Sequence, residues 1–85
     1  MYNYNELKPK IFTEENQKEF LKIRDRVHET IAIAGCISMG RASAGAGEIW
    51  ERMAMVDRLV ELGEIVEVKQ VGNVAGQHRI FTKYN

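Results

Sequence analysis

Apolar residues recur along this chain with two different periods, and the change from one to the other falls at a glycine. In EIWERMAMVDRLVELGEIVEVKQ, residues 48–70, Ile49, Met53, Val56 and Val60 fall at i, i+4, i+7 and i+11. At about 3.6 residues per turn that spacing collects them on one face, and it predicts an amphipathic helix. Gly63 closes it, because a residue without Cβ enters the left-handed region at no steric cost. Beyond it Glu64, Ile65, Val66, Glu67, Val68 and Lys69 are β-branched or charged, a composition that suits a half-buried strand ending near Gln70. Residues 71–77, VGNVAGQ, are rich in turn formers, and His78 to Tyr84 alternate again. Ile80, Thr82 and Tyr84 share one face of this second strand, and Arg79, Phe81 and Lys83 the other. The two runs predict a β-hairpin with a longer loop, which must lean on helices because two strands alone are marginal in water.

The same reading extends toward the N-terminus. Thr13 followed by Glu14 and Glu15 is a helix start, a hydroxyl cap and then acids at the positive end of the dipole. Phe20, Ile23, Val27, Ile31 and Ala34 then recur at spacings of three and four, giving a helix of about six turns. Leu21 and Ile33 widen its apolar stripe, which makes dimerisation through this helix an expectation. Gly35 ends it, and Cys36 to Ser38 form an extended link with the makings of a third short strand. Ser38 caps a brief second helix through residues 39–44, with a glycine-rich loop as the competing reading, and Gly45, Ala46 and Gly47 break the chain. Residues 1–12 read as an irregular arm, because Pro9 removes a donor and pushes Lys8 toward extended geometry. Tyr2 and Tyr4 are expected to pack on the body or on a partner subunit; a basic arm tracking phosphate through Lys8 and Lys10 is the second reading.

Composition narrows the class. Eighty-five residues with 45% hydrophobic and 28% charged side chains make one folded domain with a single modest core, residues 13–85 after the arm. No apolar run reaches the roughly 20 residues of a membrane span, and MYNYNELKPK lacks a signal peptide's basic start and apolar segment, so a cytoplasmic, membrane-free protein is expected. The single cysteine, Cys36, agrees with a reducing compartment. Formal net charge is zero, but it is unevenly spread. Over residues 48–64 five acids, Glu48, Glu51, Asp57, Glu61 and Glu64, outweigh Arg52 and Arg58. Over residues 65–85 Lys69, Arg79 and Lys83 outweigh Glu67, so the hairpin is the most basic part of the chain.

Helix, short strand, small helix, tight turn, long helix ending in VDRLVELGEIVEV and a hairpin closing with GQHRIFTK form an order that resembles the winged helix-turn-helix family of bacterial and phage regulators. The likeness covers residues 15–84 and centres on R-L-V-E-L-G-E-I within Val56 to Val68, which looks like the end of a recognition helix entering the first wing strand. It implies an α+β fold of three helices with a C-terminal wing, and a transcription regulator that binds double-stranded DNA, as a dimer on two half-sites. The positions facing the major groove would be Arg41, Ser43, Glu48, Glu51 and Arg52. The wing, residues 71–77 with Lys69, His78 and Arg79, would lie along the backbone or minor groove, with Lys83 a further cation. On this reading Arg79→Glu weakens DNA binding and leaves the fold intact. The electrostatics favour an alternative. Glu48 and Glu51 stand where phosphates would approach, and Glu48 is placed to pair with Arg52 at i+4. The same fold used as a protein-binding adaptor or inhibitor is therefore the rival reading.

No catalytic constellation emerges, and a non-enzyme without cofactor or metal is expected. Gly40 and Gly45 have the separation of a phosphate loop, but Ala46 and Gly47 stand where lysine and a hydroxyl are required. His28 and Glu29 begin a zinc-protease-like string that Ala32 ends, and His28, His78 and Cys36 have no metal-ligand spacing. Arg41 replaces the glycine a nucleophile elbow needs before Ser43. Trp50 reads as a boundary residue packing against the first long helix, or as a binding anchor if exposed. Met39, Met53 and Met55 read as flexible packing.

Overall fold

The central scaffold is a long helix fixed at both ends by the residues that predict it. In the computed structural model, which describes residues 1–68 and 78–84, Thr13 Oγ1 accepts the Asn16 N–H at 3.2 Å and starts α2, Glu14–Ala34. Gly35, at φ 86°, stops it and donates its N–H to Ile31 O at 2.8 Å. Ile23, Val27 and Ile31 are its buried stripe. Leu21 and Ile33 do not widen that stripe: they are 54% and 89% exposed and, at about 100° per residue, point about 120° apart on opposite flanks.

Cys36–Ser38 is a strand, β1, and Ser38 Oγ accepts the Arg41 N–H to cap a four-residue helix, α3, Met39–Ala42. The next helix, α4, Ile49–Glu61, is capped by the Glu48 carboxylate, which accepts the Trp50 and Glu51 N–H groups at 3.0 Å each. Its other end is a Schellman stop. Gly63, at φ 77°, donates to Val60 O, and Glu64 donates to Leu59 O. That stop feeds β2, Ile65–Glu67, and β3, Ile80–Lys83, completes an antiparallel sheet in the order β1-β3-β2. Ile37 pairs with Phe81 in one register and Glu67 with Phe81 in the other. The described residues thus form an α+β fold of four helices and one three-stranded sheet. Lys69 and the expected wing loop, residues 71–77, lie outside them.

The core joins Ile23, Val27 and Ile31 of α2 to Met55, Val56 and Leu59 of α4 and to Ile37, Ile65 and Phe81 of the sheet. The apolar face of α4 differs from the expected one. Met53 and Val56 are buried, but Ile49 is 38% exposed, and Arg52, Ala54, Met55 and Leu59 join the buried set. A helix covered on two sides has no single apolar stripe for a spacing rule to find.

The second cover is the N-terminal segment, which is not an irregular arm. Tyr4–Ile11 is a helix, α1, started by the Asn3 side chain, which accepts the N–H groups of Asn5 and Glu6. Pro9 lies inside it, at a cost of about 3 kcal/mol. Leu7 and Ile11, one turn apart on one face, are buried in the core. Burying two such side chains contributes on the order of 3–6 kcal/mol, so tertiary packing outweighs the local penalty.

Candidate interaction surface

The first turn of α4 is where the winged-helix resemblance puts its reading residues, and the structure sorts them sharply. Glu48 is committed to capping, not to Arg52. Glu51 accepts the Asn16 Nδ2 amide at 2.8 Å, tying α4 to the start of α2. Arg52 is 4% exposed, so it does not face outward as expected. Its guanidinium donates to the carbonyls of Ser43 at 2.8 Å, Ala44 at 2.6 Å and Ala46 at 3.0 Å, and pairs with Glu19 at 2.8 Å. The bond from Arg52 holds the Glu19 carboxyl below its ordinary range. Gly45 makes room for this: a Cβ there would lie 2.2 Å from Arg52 Nη2, and its φ of 138° is itself a glycine conformation. Ser43 is also turned inward, fully buried, with its hydroxyl donating to Met39 O at 2.7 Å. Arg52 and Ser43 therefore hold the α3–α4 turn together and offer nothing to a groove.

The outward face of α4 is occupied along most of its length. Opposite its core side lie Ala54, Asp57, Arg58 and Glu61, and α1 packs over them. Tyr2 donates its hydroxyl to Asp57, Tyr4 donates to Glu61 Oε1 at 3.1 Å, Lys8 pairs with the same oxygen at 2.8 Å, and the Arg58 guanidinium sits 5.5 Å from the Phe12 ring centre. Hydrogen bonds from Lys8 and then Arg58 lower the Glu61 carboxyl to about 2, while desolvation followed by the Glu61 bond raises the Tyr4 hydroxyl to about 12. Burial and the bond to Asp57 likewise raise the Tyr2 hydroxyl. The expectation that both tyrosines pack on the body holds in this geometry.

Arg79, just before β3, is also engaged. Arg79 donates to both oxygens of Asp57, at 2.8 and 3.2 Å, and to both of Glu67, at 2.7 and 3.0 Å. It lies 5.3 Å from the Phe81 ring centre; the bonds to Glu67 and Asp57 raise its own proton affinity, and its guanidinium in turn lowers that of the Glu67 carboxyl. Arg79 is thus a strut between α4 and β2 and not a free phosphate contact. Arg41, Lys83 and His78 are exposed, and the guanidinium of Arg41 and the ammonium of Lys83 meet no carboxylate among the described residues. Lys69 lies outside those residues.

Near the α4 N-terminus the exposed Glu48 is followed by two exposed apolar side chains, Ile49 at 38% and Trp50 at 41%. Among the described residues no cluster of histidine, cysteine and acidic side chains is arranged to hold a metal, and no helix is long and apolar enough to cross a membrane. Residues that the sequence reading did not single out carry much of this region. Glu19, Asn16 and Asp57 act through partners far away in sequence, so no local spacing announces them. Compared with family models, curated proteins and solved structures, the chain matches none.

Proposed function

We propose that this chain is a winged-helix module that recognises a protein partner, and that α4 does not read duplex DNA. The order helix, strand, short helix, helix and hairpin, with β1-β3-β2 in the sheet, supports the winged-helix assignment. One observation carries the functional reading: α1 is seated on the outward face of α4, where a recognition helix needs free side chains. Removing α1 would uncover Ala54, Asp57, Arg58 and Glu61, where two acids outweigh one cation that is already paired with Glu61, so it would not create a DNA-reading face. Trp50 and Ile49, exposed beside the Glu48 carboxylate, suit an apolar pocket with a basic rim, the kind of site in which a tryptophan acts as an anchor.

A second reading rests on Arg41 and Lys83, whose charges meet no described carboxylate. It has duplex DNA held by its phosphates along α3 and the hairpin, with no base read by α4. Titrating isotope-labelled protein with duplex DNA at low and moderate salt separates the two. The protein-binding reading expects unmoved amides throughout. Shifts confined to Arg41 and residues 78–83 that reverse with salt support the second. Saturable shifts running from Trp50 to Asp57 overturn the proposal that α4 is not a DNA reader.

A further inference from the structure

The sheet has a second face. Ile37 and Phe81 point into the core at 2% and 0% exposure, so their neighbours in the strands point the other way. Across this outer face one row reads Cys36, Thr82, Val66. The next reads Ser38, Ile80, Val68, where Val68 donates its N–H to Ile80 O at 2.8 Å. None of the six is charged. A solvated face of an antiparallel sheet ordinarily alternates to polar side chains, yet Cys36 and Val68 are exposed here and the other four are half-buried. At one border the end of α2 adds Ile33, 89% exposed, which shares a groove with Cys36 and Ile80.

We infer that this outer face, with Ile33, is the contact between two copies of the chain. The argument for a second copy is electrostatic. A two-fold contact sets a patch against itself, so a patch of one sign repels its own copy, whereas an uncharged or mixed patch does not. The six strand positions are uncharged, and the groove beside them is mixed in sign, with Lys22, Asp25, Arg26 and Glu29 along its α2 border and Arg41 of α3 also lining it. The whole chain carries no net charge, so no long-range repulsion opposes the encounter. The contact is independent of the partner proposed for Trp50, which lies on α4. It also moves the dimer away from the outward side of α2 and its Leu21.

Sedimentation of the full chain from about 10 μM to about 1 mM, a range that brackets weak specific association, should show the 9.7 kDa species giving way to one of twice the mass. Ile33→Asp, at a position exposed enough to leave folding alone, and Ile80→Arg should each weaken this association at least tenfold, while Leu21→Asp should not change it. Alkylation of the Cys36 thiol should slow as the dimer fills. A monomer throughout the range overturns the inference. So does a dimer that survives Ile33→Asp, one abolished by Leu21→Asp, or one in which Cys36 reacts at the monomer's rate.

Discussion

Arg52 shows how a single side chain changes role once its surroundings are known. Read along the helix it is a cation one turn beyond Glu48; in the structure it is a buried cross-link between the 43–46 turn, α2 and α4. Replacing it with methionine fills the space and leaves the Ser43, Ala44 and Ala46 carbonyls and the Glu19 carboxylate without their donor. A loss of about 2–3 kcal/mol is expected in urea unfolding, and an unchanged midpoint would show that these bonds are replaced by water. Gly45→Ala should lower stability through the same contact, since the new methyl group meets the guanidinium. Arg79→Glu, expected from the sequence to spare the fold, should now cost about 2 kcal/mol, because it sets a third carboxylate beside Asp57 and Glu67. None of this was legible. An arginine whose partners are backbone carbonyls and a distant acid has the same local pattern as one that faces solvent, and only the run of glycine and alanine before it marked the turn as unusual.

At the level of elements, legibility followed how local the deciding interaction is. Thr13, Gly35, Ser38 and Gly63 act within a few residues of themselves, and each boundary of α2, α3 and β2 that depends on them was readable. α1 was not, because its local signal is Pro9, while the compensating burial of Leu7 and Ile11 requires α4 to be in place. The docking of α1 should therefore respond to pH at both ends. Glu61 has a folded value lowered from 4.5 to about 2, so its contribution is complete above about pH 4.5 and is lost as pH falls toward 2. Tyr4 has a value raised from 10.0 to about 12, so its contribution is complete below about pH 10 and is lost as pH rises toward 12. Amide exchange in residues 4–11 should accelerate in those two windows before α2 does. Equal acceleration in both helices would mean that α1 is not a separately docked element.

Over the whole molecule, net charge is zero and many carboxylates and cations find each other across elements: Glu19 with Arg52, Glu64 with Arg24 and His28, Glu61 with Lys8, Glu67 with Arg79. Counting charges by segment, as a sequence permits, made the hairpin look like a basic ribbon, but it could not reveal that the basicity of Arg79 is spent inside the fold. Among the described residues this leaves Arg41 and Lys83 on the α3–hairpin side, so binding of duplex DNA through those two alone should fall with salt at a log–log slope of about −2 or shallower. A slope of several units would mean that more phosphates are held than these two cations provide. The topology was legible as an order of elements, whereas the placement of β3 between β1 and β2 joins residues too far apart for periodicity to report. One carboxylate concentrates the result. Asp57 accepts from Tyr2 on one side and from Arg79 on the other, so the leading tyrosine and the root of the hairpin are gripped by the same acid, and whatever loosens the first must slacken the second.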